Sequence, residues 1–124
     1  MKSSSPRKQR LSQNTLPLHK RKSLVSVHLV PELRKQYNTR SIPARKGDTV
    51  KVIKGKFKGT IGKVSSVSLD SAIVCVEGVS RNKTDGTKVF AKICPSNLVM
   101  TQVETKDPKR LEALARCGKS RGVK

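Results

Sequence analysis

The chain has 124 residues, of which 28 are Lys or Arg and 8 are Asp or Glu, a formal net charge of +20 at pH 7. With hydrophobic residues at 34% and aromatics at 2%, a large core is excluded and one domain with tails is expected. So large a charge excess repels itself and points to a polyanionic partner; no apolar run reaches the ~18 residues of a membrane span, so no membrane insertion is expected.

Residues 1–24 read as a basic N-terminal arm. They lack the apolar block of a secretory signal and, being rich in Ser and free of acids as far as Glu32, faintly resemble a mitochondrial transit peptide. Pro6 and Pro17 interrupt any continuous amphipathic helix, which favours an extended arm that binds nucleic acid, without a packed core before about residue 25. Residues 1–46 carry twelve Lys or Arg and one acid, and within the arm Arg7, Lys8, Arg10, Lys20, Arg21 and Lys22 are the candidate contacts.

Residues 25–46 read as a short helix and linker. Leu29, Leu33 and Tyr37 recur at four-residue spacing, one stripe of a helix that docks on the body, and Pro31 is compatible only with its first turn. Residues 47–103 change character. After a Gly47-Asp48 turn, Val50 and Val52 alternate with Thr49, Lys51 and Ile53 as a first strand. Ile61, Val64, Val67 and Leu69 give a second, bent at Gly62, and Ala72 to Glu77 a third. Asp85-Gly86 is a hairpin turn. Lys88 to Ile93 follows with Val89, Ala91 and Ile93 on one face, then a turn at Pro95 to Leu98 and a closing strand from Val99 to Val103. Five short strands in so few residues predict a mostly-β fold, a small SH3-like barrel. Residues 104–124 close the chain with a helix and basic tail: Asp107 can cap the helix, Pro108 can open it, Leu111 and Leu114 give it a narrow apolar face, Gly118 can end it, and Lys119 to Lys124 read as frayed.

Cys75, Cys94 and Cys117 are odd in number and widely spaced, and His19 and His28 are the only histidines. A zinc site needs closely paired ligands, so no metal and a reduced, intracellular chain are expected. Asn82-Lys83-Thr84 fits a glycosylation sequon, read as chance without a secretory signal. No catalytic residue, cofactor or small-molecule substrate is expected: no paired carboxylates share a predicted face and no Ser/His/Asp or Cys/His set has supporting context.

The segment Lys51-Val-Ile-Lys-Gly-Lys-Phe-Lys-Gly-Thr-Ile-Gly-Lys-Val64 sets three glycines among five lysines. It fails as a phosphate-cradling G-x-x-x-x-G-K-[ST] loop, because Val64 follows Gly62-Lys63 and Phe57 stands where the first glycine belongs. The glycines suit a tight connection between strands instead, with Gly62 allowing close backbone approach or a bulge. Lys54, Lys56, Lys58 and Lys63 cluster around this connection and are placed to meet phosphates. Phe57 either stacks on a base or plugs the barrel mouth.

Gly47-Asp-x-Val50-x-Val52 with Gly55-Lys-x-Lys-Gly59-x-x-Gly62-Lys-Val64 resembles a KOW motif, found in large-subunit ribosomal proteins and in NusG-type elongation factors. The flanks Pro31-Glu-Leu-Arg-Lys-Gln-Tyr-Asn38, Arg40-Ser-Ile-Pro-Ala-Arg-Lys46, Gly78-Val-Ser-Arg-Asn-Lys83 and Ile93-Cys-Pro-Ser-Asn-Leu98 resemble the universal ribosomal protein L twenty-four family, eukaryotic L twenty-six, over about residues 23–117. The resemblance implies a structural protein of the large subunit that binds rRNA during assembly near the polypeptide exit tunnel. Its implied partners are large-subunit rRNA, neighbouring ribosomal proteins and factors at the tunnel exit. Its implied location is the cytoplasmic ribosome, after nucleolar passage. By position, the loop residues Lys54, Lys56, Phe57 and Lys58 are the implied RNA contacts, with Arg40, Arg45, Lys46, Arg81 and Lys83 as further ones. The alternative is a KOW elongation factor that binds RNA polymerase or nascent RNA; it calls for an additional N-terminal α/β domain, for which this length has no room. With Tyr37, Phe57 and Phe90 the only aromatics, an RRM-like stacking sheet is excluded, and binding is expected to be dominated by phosphate contacts and steep in salt.

Overall fold

Alternating valines build the sheet. In β3 (Thr49–Val52), Val50 and Val52 point inward and are fully buried while Lys51 is exposed. The same period of two buries Val64 of β4 (Ile61–Ser68), Val74 and Val76 of β5 (Ile73–Asn82), Ala91 and Ile93 of β6 (Lys88–Ile93), and Leu98 and Met100 of β7 (Leu98–Gln102). Each such side chain removed from water contributes about 1.5–3 kcal/mol. The computed structural model describes residues 3–119. Its seven strands hydrogen-bond in the order β2-β1-β7-β3-β4-β5-β6, giving a small, mostly-β, barrel-like fold with helices at its two ends.

β1 (Ser26–Leu29) and β2 (Ser41–Pro43) lie where a helix and linker were expected. Val25, Val27 and Leu29 form a period-two run whose side chains are all buried, and this local alternation prevails over the four-residue spacing of Leu29 with Leu33. β1 pairs in parallel with β7, His28 opposite Val99, and antiparallel with β2. The helix itself, α3 (Pro31–Tyr37), starts with Pro31 in its first turn and stops at Asn38 in the left-handed conformation, φ 50°. Leu33 and Tyr37 still pack on the core.

Two short helices occupy the arm that was expected to be extended: α1 (Pro6–Thr15) and α2 (Leu18–Arg21), followed by a 3-10 turn over Lys22–Val25. Pro6 opens the first helix, where its missing N–H costs nothing, and Pro17 separates the two. Neither buries a residue. Arg21 ties them to the body. Its guanidinium pairs with Asp70 at 2.5 Å and donates to the carbonyls of Asn14 at 2.7 Å and Leu16 at 2.9 Å.

β5 runs beyond its expected end at Glu77 because a bulge at Gly78, φ 81°, lets the strand resume with Val79 buried. Past this point the β5–β6 hairpin outruns the core. Val89, expected inside with Ala91 and Ile93, is 38% exposed. The last helix, α4 (Pro108–Lys119), continues through Gly118, and the expected basic tail beyond Lys119 lies outside the described residues. On α4 Leu114 is buried but Leu111 is exposed; the side chain that goes inside beside Leu114 is Arg110.

Gly62 sits opposite Val50 where β3 meets β4. A Cβ there would lie 2.3 Å from the Glu77 carbonyl oxygen and 2.9 Å from Val76 Cγ1. The obstacle is backbone, so it cannot rotate aside. Gly62→Ala is expected to destabilise the fold by about 1–3 kcal/mol through overpacking, read as a lower urea midpoint with unchanged slope; an unchanged midpoint would show that β5 yields at no cost.

Candidate nucleic-acid interface

The lysine loop between β3 and β4 is built by its own backbone. Gly55 and Gly59 hold φ of 97° and 93°. The Lys58 N–H donates to the Gly55 carbonyl at 3.1 Å, Gly59 N–H to Val52 at 2.9 Å and Thr60 N–H to Phe57 at 3.2 Å. These three amides are therefore turned on carbonyls of the loop and of β3 rather than outward to phosphates. Phe57 is half-buried against the core, the plug arrangement, while Lys54, Lys56 and Lys58 stand exposed.

Lys56 and Phe57 form one side of a groove of 1030 Å3 whose other side is the β5–β6 hairpin, with Arg81, Lys83 and Lys92. Val89, Phe90 and Ala91 add apolar surface, and among the described residues no acid lines the groove. Two clusters that are separate in sequence, the loop lysines and the Arg81/Lys83 pair, thus meet in one hollow. Its cations can spread over several phosphates of one strand, and their mutual repulsion is relieved when a polyanion enters. Lys92 was missed by sequence reading; its signal was the alternation with Ala91 and Ile93, which directs it outward.

A second basic surface lies where the arm meets the body. Lys22, Arg45 and Lys46 line a hollow of 610 Å3 together with Ser65 and Ser66 of β4, whose hydroxyls offer donors. Lys20 and Lys22 border an adjoining one of 520 Å3 with His19. Arg7, Lys8 and Arg10 are exposed along α1, Lys63 is exposed on β4, and Arg40 is exposed before β2. Lys54, Lys58, Lys63 and Arg40 line none of these hollows.

Two of the candidate arginines are already engaged with acids. Arg21 holds Asp70, as described. Arg45 pairs with Asp107, and this hydrogen bond is the main reason the Asp107 carboxyl is held below its ordinary value of 3.8; burial opposes it, while the backbone N–H groups of Lys109 and Arg110 and the Arg45 charge add to it. A carboxyl depressed in the fold stabilises it above the unfolded value and loses that contribution as pH falls through the folded one. The contribution is therefore expected to fade only below about pH 4. Arg45→Met should return the Asp107 pKa toward the ordinary value in a carboxyl-detected NMR titration; an unmoved titration would mean the pair does not form in solution.

Beneath this surface lies an ion pair that sequence reading missed. Asp48 is fully buried and Arg110 is 4% exposed. The guanidinium meets the carboxylate in a two-pronged arrangement, Nη1 to Oδ1 at 2.6 Å and Nη2 to Oδ2 at 2.7 Å. The same carboxylate accepts the backbone N–H of Arg45 at 2.8 Å and of Glu104 at 2.9 Å. Asp48 thereby fastens α4, the segment after β7 and the approach to β3 to one point, and sets the backbone of Arg45 beside the second basic hollow.

The family model for ribosomal proteins L26 of eukaryotes and L24P of archaea matches residues 3–117, so the arm as well as the barrel falls within its pattern. The chain is 48% identical over 114 residues to the large ribosomal subunit protein uL24 of Methanosphaera stadtmanae, covering 92% of this chain and 97% of that protein. It is 45% identical to the uL24 of Methanosarcina barkeri over 92% and 98%, and 43% identical to that of Methanothrix thermoacetophila over 94% and 100%. These relatives carry the name of a ribosomal protein and lend nothing to the elongation-factor alternative. From the KOW-like strand pair through its flanks to the last helix, the chain belongs to the family of ribosomal proteins called L26 in eukaryotes and L24P in archaea.

Proposed function

We propose that this chain is a structural constituent of the large ribosomal subunit that holds rRNA between its lysine loop and the β5–β6 hairpin. The observation that carries the reading is the acid-free groove in which Lys56, Arg81, Lys83 and Lys92 converge. The relatives' names supply the assembly. The second basic hollow, with Lys22, Arg45 and Lys46, and the exposed cations of α1 extend the RNA contact along residues 1–24. Residues 47–103 are the gripping body, residues 25–46 join the arm to it, and residues 104–124 brace it. Folded RNA presents phosphates and 2′-hydroxyls at fixed spacing, so a rigid barrel with cationic loops recognises its shape.

In this reading the chain performs no catalysis. It joins rRNA while the subunit assembles and finishes beside the polypeptide exit tunnel, among neighbouring ribosomal proteins and within reach of factors that dock there. Its place is the cytoplasmic ribosome, reached by way of the nucleolus in a cell that has one. The test is co-sedimentation of tagged protein through a sucrose gradient, before and after a high-salt wash. Persistence with the large subunit is the expected result. Release to the top of the gradient, or travel with RNA polymerase, would overturn it.

A further inference from the structure

The β5–β6 hairpin brings Phe90 to the groove between its cations. Ser80 pairs with Phe90, Arg81 with Val89 and Asn82 with Lys88. Side chains alternate along a strand, so Lys88, Phe90 and Lys92 share one face, opposite to Val89 and to the buried Ala91 and Ile93. On this outer face Phe90 stands opposite a small serine and is 53% exposed. Residues 80–90 are exposed throughout, and among the described residues β6 is the last strand of the sheet. A two-stranded ribbon without cover is marginally stable in water, so covering this one strengthens it.

We propose that an unpaired RNA base stacks on the outer face of Phe90, with Lys88 and Lys92 holding the phosphates on either side. This rests on the RNA-binding reading above and adds to its phosphate contacts a base contact on the Phe90 side of the groove. Lys88 and Lys92 each stand two residues from Phe90, about 6.6 Å along the strand, so both long side chains reach past the ring edge. On its own face of the strand Phe90 lies between two cations, while its neighbour Val89 faces the other way. A flat, uncharged π-surface carried on a charged backbone matches that pattern, whereas an apolar protein surface would bury the two ammonium groups. Stacking tolerates every base, so the contact adds affinity for unpaired RNA without reading a sequence.

The chain contains no tryptophan, so Phe90→Trp in the full-length protein introduces a single reporter at the contact. Single-stranded oligo(A) is expected to quench its fluorescence. An abasic strand of equal length should bind about 10- to 100-fold more weakly and leave the emission unchanged. Phe90→Ala should bind both strands alike, with the salt slope of the parent, because no phosphate contact is lost. Equal affinity for intact and abasic strands without quenching would overturn the stacking and leave the RNA-binding reading intact. Failure to bind either strand at low salt would overturn both. Quenching by an acidic polypeptide as strong as that by oligo(A) would overturn the choice of a nucleobase in favour of a protein partner.

Discussion

Asp48→Ala is expected to lower the stability of the isolated protein by about 3–5 kcal/mol, the cost of leaving a buried charge without its partner. Arg110 would stay inside with nothing but the carbonyls of Glu104, at 3.2 Å, and Pro43, at 3.4 Å, to solvate it. The backbone N–H groups of Arg45 and Glu104 would lose their acceptor as well, and each buried amide left unmade costs about 1–3 kcal/mol. Against a typical total of about 5–15 kcal/mol this is a large share, equivalent to a melting point lower by roughly 10–25 °C. The double variant Asp48→Leu with Arg110→Met should recover part of the loss, since apolar pairs often replace buried ion pairs without penalty. It should not recover all of it, because leucine cannot accept from the two amides. Thermal unfolding followed by circular dichroism decides the matter. A single variant within about 2 °C of the parent would show that the pair is not formed as described.

Changing Lys56, Arg81 and Lys83 together to Glu is expected to weaken binding to large-subunit rRNA by at least about a hundredfold near 0.1 M salt. Each phosphate contact contributes ~0.7–0.9 to the slope of log K against log salt, so losing three should flatten the slope by about 2–3. Lys54 and Lys58 lie on the same loop but outside the groove; reversing those two should cost less than the triple change. All five side chains are exposed, so the melting temperatures should stay near that of the parent and exclude unfolding as the cause. Filter binding over a salt series provides the readout. An unchanged slope in the triple variant would remove the groove from the interface.

The strands of the barrel were legible because valines alternate through them: Val50 and Val52, Val74 and Val76, and the Ala91 and Ile93 pair each announce an inward face. β1 was not, since Leu29 fits both a strand with Val25 and Val27 and a helix with Leu33 and Tyr37, and only its pairing with β7 decides between them. The same limit applies to charge. Sequence spacing marked Lys56 within a lysine cluster, and the family resemblance implied Arg81 and Lys83, but whether the two share a groove depends on how the hairpins fold toward each other. It also cannot separate an arginine facing solvent from one that holds an acid, as Arg21 and Arg45 do. Asp48 was read as a turn residue because Gly-Asp is a turn signal; its partner Arg110 lies 62 positions away on a helix whose leucines drew the eye.

The pairing of β1 with β7, together with that distant ion pair, has a consequence for how the chain acquires its shape. During synthesis Val27 and Leu29 emerge early, yet the strand that seats them is made only at residues 98–102, and Asp48 must wait still longer for Arg110. No early portion can complete the fold, so the chain leaves the ribosome that makes it largely open. Closure then needs contacts of wide sequence separation, which slow folding because the loop entropy must be lost before the contacts reward it. A growing chain in that condition, with a charge excess of this size, also closes against its own repulsion. In the proposed reading, rRNA bound to the closed form stabilises it by linkage, so folding and binding favour each other.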